Sequence, residues 1–323
     1  MSATTAGSEP SDYSPAEYWT RRLARAEGLE SVGWLGLGEA YNRWLYRRRA
    51  AVFGHLARAC GWARRPPSVL ELGPGTGFYV ERWARLGVRE LIGVDVAAPA
   101  VARLGRRFPR YRFLAADIGR PLAPPPGTFD VVTAFDVLFH LTDESAFETA
   151  IAMMAEALRP GGVALISDLF PRTREVRRAH HVSRTETAYR AVLAGHGLTV
   201  ERRLPVFVTM HPWAEPAGAW RARAARLWWG LVERLAGHVP GAGGPLGAAL
   251  YAADSLLCRL VRWGPSTQVW VVRRRAAGPH PVRFAHTSPS PDNGRGGDSL
   301  DRGWSVQPFA RYRKRGGERS EPG

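Results

Sequence analysis

The chain has 323 residues, 45% hydrophobic and 10% aromatic, which is enough to bury a sizeable core and excludes wholesale disorder. Its formal charge is +16, from 45 basic and 29 acidic residues, yet Lys314 is the sole lysine. Arginine used almost everywhere, beside abundant Ala, Gly and Pro, spreads charge along the chain without building a patch, so nucleic acid is disfavoured as a partner. Two cysteines, Cys60 and Cys258, are too few for a disulfide framework or a zinc cage. Residues 1–14 hold no apolar signal-peptide stretch, and the longest uncharged run, Leu235 to Ala253, is broken by Pro240 and Pro245. The expectation is a cytoplasmic protein with no transmembrane segment.

In chain order, residues 1–60 read as an N-terminal tail and helical cap. Ser14-Pro15-Ala16-Glu17 is a capping box with proline at the first helical position. A glycine-punctuated turn follows, then a helix with Tyr41, Leu45, Phe53 and Leu56 on one face. The run Arg47-Arg48-Arg49 on that helix reads as a solvated face. Residues 61–275 form the second region. Val69–Leu72, Leu91–Val96, Arg112–Ala116, Val131–Phe135 and Val163–Leu169 read as strands. Phe78–Leu86, Pro99–Arg107 and Glu144–Leu158 read as the helices between them. Such alternation predicts a parallel sheet covered on both faces. Leu198–Val208 and Gln268–Arg273 read as two further strands, with an insertion at about 211–264 read as two helices. Residues 276–323, rich in Pro, Gly, Ser and Arg without periodicity, read as a disordered basic tail.

The chemistry concentrates after the first strand, in Glu71-Leu72-Gly73-Pro74-Gly75-Thr76-Gly77-Phe78. Glycines there let the backbone take positive φ or approach a ligand. A dinucleotide site wants G-x-G-x-x-G, and here Phe78 stands where its last glycine belongs. Glu71 is also a poor neighbour for a pyrophosphate, so the turn suits a cationic ligand without phosphate. Asp95 ends the second strand, 18 residues past Gly77, close to the spacing of an acid that grips ribose hydroxyls; a helix cap is the alternative. Asp117 after the third strand can accept from an adenine amino group while Ile118 covers the ring, or can be a turn aspartate.

Taken together, ELGPGTG, the acid of GVD, AAD, FDVVTAFDVLFHLTD and LRPGGVALISD resemble the class I methyltransferases that use S-adenosylmethionine, over residues 61–210. The resemblance implies a Rossmann-like three-layer α/β/α sheet ending in an antiparallel hairpin. It implies that Glu71, Gly73, Gly75 and Gly77 border the methionine part of the cofactor, Asp95 the ribose, and Asp117 and Ile118 the adenine. Phe135 and Asp136 would line the pocket beside the transferable methyl. Where that family often carries Glu-His after the fourth strand, this chain has Phe139-His140. His140 is a candidate general base, or a side chain that packs at the next helix.

No metal site is expected: His180 and His181, read on a helix, would point about 100° apart, and no ligand spacing accompanies them. The insertion mixes Trp213, Trp220, Trp228, Trp229 and Trp263 with arginines. It reads as a helical cap, or as a lid able to touch a membrane surface peripherally. Trp19, Tyr41, His140 and some insertion tryptophans are the expected walls of an acceptor cavity for a small molecule, lipid or glycan. Two other classes remain compatible with parts of the chain: an NAD-dependent oxidoreductase on a similar sheet, and a non-catalytic or nucleic-acid-binding relative of the methyltransferases.

Overall fold

A computed structural model describes residues 13–25, 28–34, 36–122, 127–178, 180–215, 218–261 and 265–275. The tail expected from residue 276 and Trp263 lie outside the described residues. Helix α1 (Pro15–Arg25) starts where the capping box sets it, with Ser14 Oγ accepting from the Glu17 N–H at 3.4 Å. Helix α2 (Gly38–Ala59) follows. Strands β1 (Val69–Leu72), β2 (Leu91–Asp95), β3 (Arg112–Ala115), β4 (Phe129–Phe135) and β5 (Leu158–Asp168) are all parallel. Helices α3 (Phe78–Arg85), α4 (Ala98–Arg107) and α5 (Glu144–Ala157) connect them, with 3-10 turn Leu138–His140 before α5.

After β5 comes a short hairpin, β6 (Val176–Arg178) with β7 (His181–Ser183), then α6 (Glu186–Gly195) and β8 (Leu198–Pro205). Insertion helices α7 (Ala219–His238) and α8 (Gly243–Leu260) lead to β9 (Gln268–Arg274). The seven-stranded sheet has the order β3-β2-β1-β4-β5-β9-β8, and β9 runs antiparallel to both neighbours. The expected three-layer sheet with its terminal hairpin is therefore the fold.

Strand alternation splits the core in two. Val69, Leu91, Val131, Leu165 and Val271 face α2, α3 and the insertion. Leu70, Ile92, Val132, Ile166 and Trp270 face α5 and α6. The central strands are buried on both sides, whereas edge strands β3 and β8 expose Arg112, Arg202 and Arg203. Arginine on an open edge discourages pairing with another chain.

Three sequence expectations need correction. The hairpin and α6 stand where no element was assigned, although Thr185 caps α6 by accepting from the Ala188 N–H and Gly197 follows its end at φ +71°. His180 and His181 stand at the turn and start of β7, not on a helix. The arginine run is not one solvated face. Consecutive helical residues point about 100° apart, so Arg47 lies over the rings of Trp44 and Tyr251, Arg48 donates to the Val206 carbonyl, and Arg49 turns inward.

Candidate active site

The carboxyl ends of β1 to β4 open into one cleft, the place where parallel α/β sheets bind ligands. It encloses about 910 Å³ of open space, its solvent mouth included. The floor is the glycine turn after β1, with Gly73, Gly75 and Gly77 at φ +64°, +53° and +82°. All three are left-handed, the conformation glycine adopts without steric cost. A Cβ at Gly73 would lie 2.4 Å from Val137 Cγ2, and one at Gly77 2.5 Å from Leu104 Cδ2. The turn is thus pressed against the segment after β4 on one side and α4 on the other.

Asp95, at the end of β2, fixes this turn. Its Oδ2 accepts from the Gly75 N–H and its Oδ1 from the Ala97 N–H, both at 2.9 Å. Burial raises its pKa against those two bonds, which favour the carboxylate. The Gly73 N–H is taken by the Val94 carbonyl and the Gly77 N–H by the Pro74 carbonyl. The three glycine donors that would cradle a pyrophosphate are therefore used internally. Beneath the turn, Glu71 is buried and its Oε2 has no hydrogen-bond partner. Burial, then the nearby Asp95, pushes its pKa up to about 8. Glu71 stands behind the cleft wall while Asp95 lines it.

Asp117 and Ile118, just past β3, line the cleft opposite the turn, and Asp117 Oδ1 accepts from the Gly119 N–H. At the end of β4, Phe135 stacks on Tyr79 with centroids 3.9 Å apart. Asp136 lines the cleft at φ +56°, a backbone position uncommon for a side chain of any size. Two polar neighbours hold it there: Ser167 Oγ donates to Oδ1 at 2.8 Å, and Arg49 pairs with Oδ2. The Arg49 guanidinium sits over the rings of Tyr46 and Phe207, in a largely buried position. Sequence reasoning missed Arg49, Tyr46 and Tyr79, because one buried member of an arginine run carries no local signal.

Trp19 of α1 and His140 face the same cleft and meet edge to face, 4.8 Å between centroids. His140 Nδ1 lies 2.9 Å from the His180 carbonyl. A carbonyl only accepts, so Nδ1 carries the proton and Nε2 the lone pair. Burial is the main cause that brings the His140 pKa down to about 3, so the ring is neutral at physiological pH. Arg184, fully buried, ties β7 to this wall through Glu144 and the Leu141 carbonyl.

Two expected wall elements lie elsewhere. Tyr41 is fully buried and donates to the Met210 carbonyl at 3.0 Å, anchoring α2 to the segment after β8. The described insertion tryptophans do not border the cleft, because the insertion packs on α2 and the segment before it: Gly247 abuts Trp44 of α2 and Trp229 meets Trp34. Among the described residues, no group of three or more His, Cys, Asp or Glu could hold a metal ion, and no helix is long and apolar enough to cross a membrane.

Residues 69–162 match the family model of a methyltransferase domain. A probable S-adenosylmethionine-dependent methyltransferase of Mycolicibacterium smegmatis is 35% identical over 132 residues, 41% of this chain and 47% of that protein. A ubiquinone biosynthesis O-methyltransferase of Albidiferax ferrireducens is 31% identical over 106 residues, 31% of this chain and 40% of that protein. The chain thus spans less than half the length of either relative. Among solved structures, the N-methyltransferase NodS of Bradyrhizobium japonicum with S-adenosyl-L-homocysteine superposes with a TM-score of 0.47 at 19% identity, covering 79% of this chain and 98% of that one. The matched segment supplies this glycine turn, Asp95, Asp117 and the end of β4, so residues 69–162 are similar to an S-adenosylmethionine-dependent methyltransferase domain.

Proposed function

We propose that the protein transfers a methyl group from S-adenosylmethionine to a small apolar or ring-bearing acceptor, a lipid among the candidates. The observation that carries this is the charge and hydrogen bonding of the cleft floor. Asp95, Asp117 and Asp136 converge on it, with Glu71 behind and the glycine N–H groups already used. Such a floor suits a cationic ligand and rejects a pyrophosphate, which disfavours the NAD reading. The unpartnered Glu71 oxygen is a further mark of fit, since a cation nearby would favour the carboxylate that burial otherwise keeps protonated.

The Gly73–Gly77 turn and Glu71 would border the methionine moiety, Asp95 the ribose, and Asp117 with Ile118 the adenine. When bound, S-adenosylmethionine supplies a methyl already activated by its sulfonium charge. The chain's contribution is then alignment and exclusion of water. Phe135, stacked on Tyr79, and Asp136, held by Arg49 and Ser167, form one rigid wall of the acceptor end. Trp19 and His140 form the other, an aromatic pair suited to a flat or apolar acceptor. The name of the Albidiferax relative supports a ring hydroxyl as one acceptor class. His140 Nε2 can accept a hydrogen bond from such a hydroxyl. Burial disfavours its cation, so His140 orients the hydroxyl more readily than it removes the proton.

Calorimetric titration tests the reading. S-adenosylmethionine and S-adenosyl-L-homocysteine should bind and NAD should not; NAD binding alone would overturn it. His140→Ala should slow transfer of labelled methyl into the acceptor while changing cofactor affinity by less than about 0.5 kcal/mol.

A further inference from the structure

We infer that the outward face of α7 is a docking surface for an anionic lipid bilayer. Helix α7 packs inward through Val232 and Trp229, the latter meeting Trp34 at 5.0 Å between centroids. The opposite side should be polar in a helix that merely caps a domain. Instead Trp220, Leu227 and Leu231 are 71%, 69% and 48% exposed. Their spacing of seven and four residues places them on a single stripe, with Ala224 between them. Large side chains held out along one line are an organised apolar surface and not scattered exposure.

The charge beside that stripe selects the occupant. Arg223 and Arg234 border it on one side and Arg221 on the other, all exposed, and Glu233 is the sole acid of the helix. Trp and Leu at the centre with arginine on the flanks is the pattern of a helix lying in a membrane interface. The apolar side chains enter the headgroup boundary and the guanidinium groups meet lipid phosphates. A second copy of this face would set arginine against arginine. A nucleic-acid backbone would leave Trp220, Leu227 and Leu231 without a partner. Helix α8 presents a smaller exposed apolar pair, Leu256 and Leu260, beside Arg259.

This inference stands apart from the methyl-transfer reading, and the test keeps the two distinguishable. The full chain is floated with vesicles of phosphatidylglycerol and phosphatidylcholine, or of phosphatidylcholine alone, at low and high salt. Binding should require the anionic lipid and weaken with salt. Trp220→Ser combined with Leu227→Ser should lower partitioning about tenfold or more, the scale of removing buried apolar anchors. Arg223→Glu with Arg234→Glu should lower it at least about fivefold on anionic vesicles. Both variants should keep the parent's melting temperature and its affinity for S-adenosyl-L-homocysteine, since α7 lies away from the cleft. If the parent ignores anionic vesicles, or the variants partition as it does, the inference fails. It fails equally if sedimentation shows a dimer that the same substitutions dissolve while no vesicle binding is seen.

Discussion

Gly73→Ala probes the contact that joins the two halves of the cleft. At φ +64° a side chain costs about 1–2 kcal/mol in the left-handed region. The added methyl would lie 2.4 Å from Val137 Cγ2 and 3.1 Å from its Cγ1. Valine is stiff about χ1, so it cannot swing aside freely, and overpacking of this kind costs about 1–3 kcal/mol. The expected loss is about 2–5 kcal/mol, read from equilibrium urea unfolding. Val137→Ala, at a half-buried position, should cost about 1 kcal/mol alone. In the double variant the clash disappears and the backbone term remains, so the pair should be about 1–3 kcal/mol more stable than the sum of the singles. Affinity for S-adenosyl-L-homocysteine should fall in Gly73→Ala, because Val137 is displaced at the cleft wall, and recover in part in the double variant. Additivity within about 0.5 kcal/mol would refute the contact.

Asp95→Asn should be nearly as damaging as Asp95→Ala, because both oxygens accept from backbone N–H groups and an amide can serve only one of them. About 1–3 kcal/mol of stability and a clear loss of cofactor affinity by calorimetry are expected, and near-parent behaviour of the asparagine variant would contradict the bracing role. Glu71, with its pKa raised from 4.5 to about 8 mainly by burial, holds more proton in the native than in the unfolded state between those values. Stability of the parent should therefore decline with rising pH across that window, by at most about 1.4 kcal/mol per unit, while Glu71→Gln removes that component; parallel pH curves for the two proteins would exclude it. Arg49→Met should cost about 1–3 kcal/mol, less than a fully buried pair because Asp136 keeps 27% exposure, and Asp136→Asn in that background should recover part of the loss. Additive single effects by chemical denaturation would separate the two residues.

Much of the molecule was legible in the chain because its signals are local. Three hydrophobic residues around Glu71 before a glycine turn, an acid at or just past the end of each of the next two strands, and two further strands separated by an insertion define the sheet and the edge that bears the cleft without long-range information. The three glycines had to be glycine because their φ values are left-handed, a requirement written residue by residue. The capping of α6 was equally local, at Thr185 and Gly197, and could have been read. What the chain could not disclose depends on residues far apart meeting in space. Arg49 differs from Arg47 and Arg48 only because its rotation on α2 points it at Asp136, 87 positions later, in a pocket of Tyr46 and Phe207. Tyr41 and the insertion tryptophans have the composition of a substrate wall, but helix packing buries Tyr41 against Met210 and seats the insertion on α2. His140 has an ordinary imidazole in sequence. Its neutrality and its tautomer come from burial beside Trp19 and from one backbone carbonyl across the hairpin, a low-dielectric setting that only the folded chain creates.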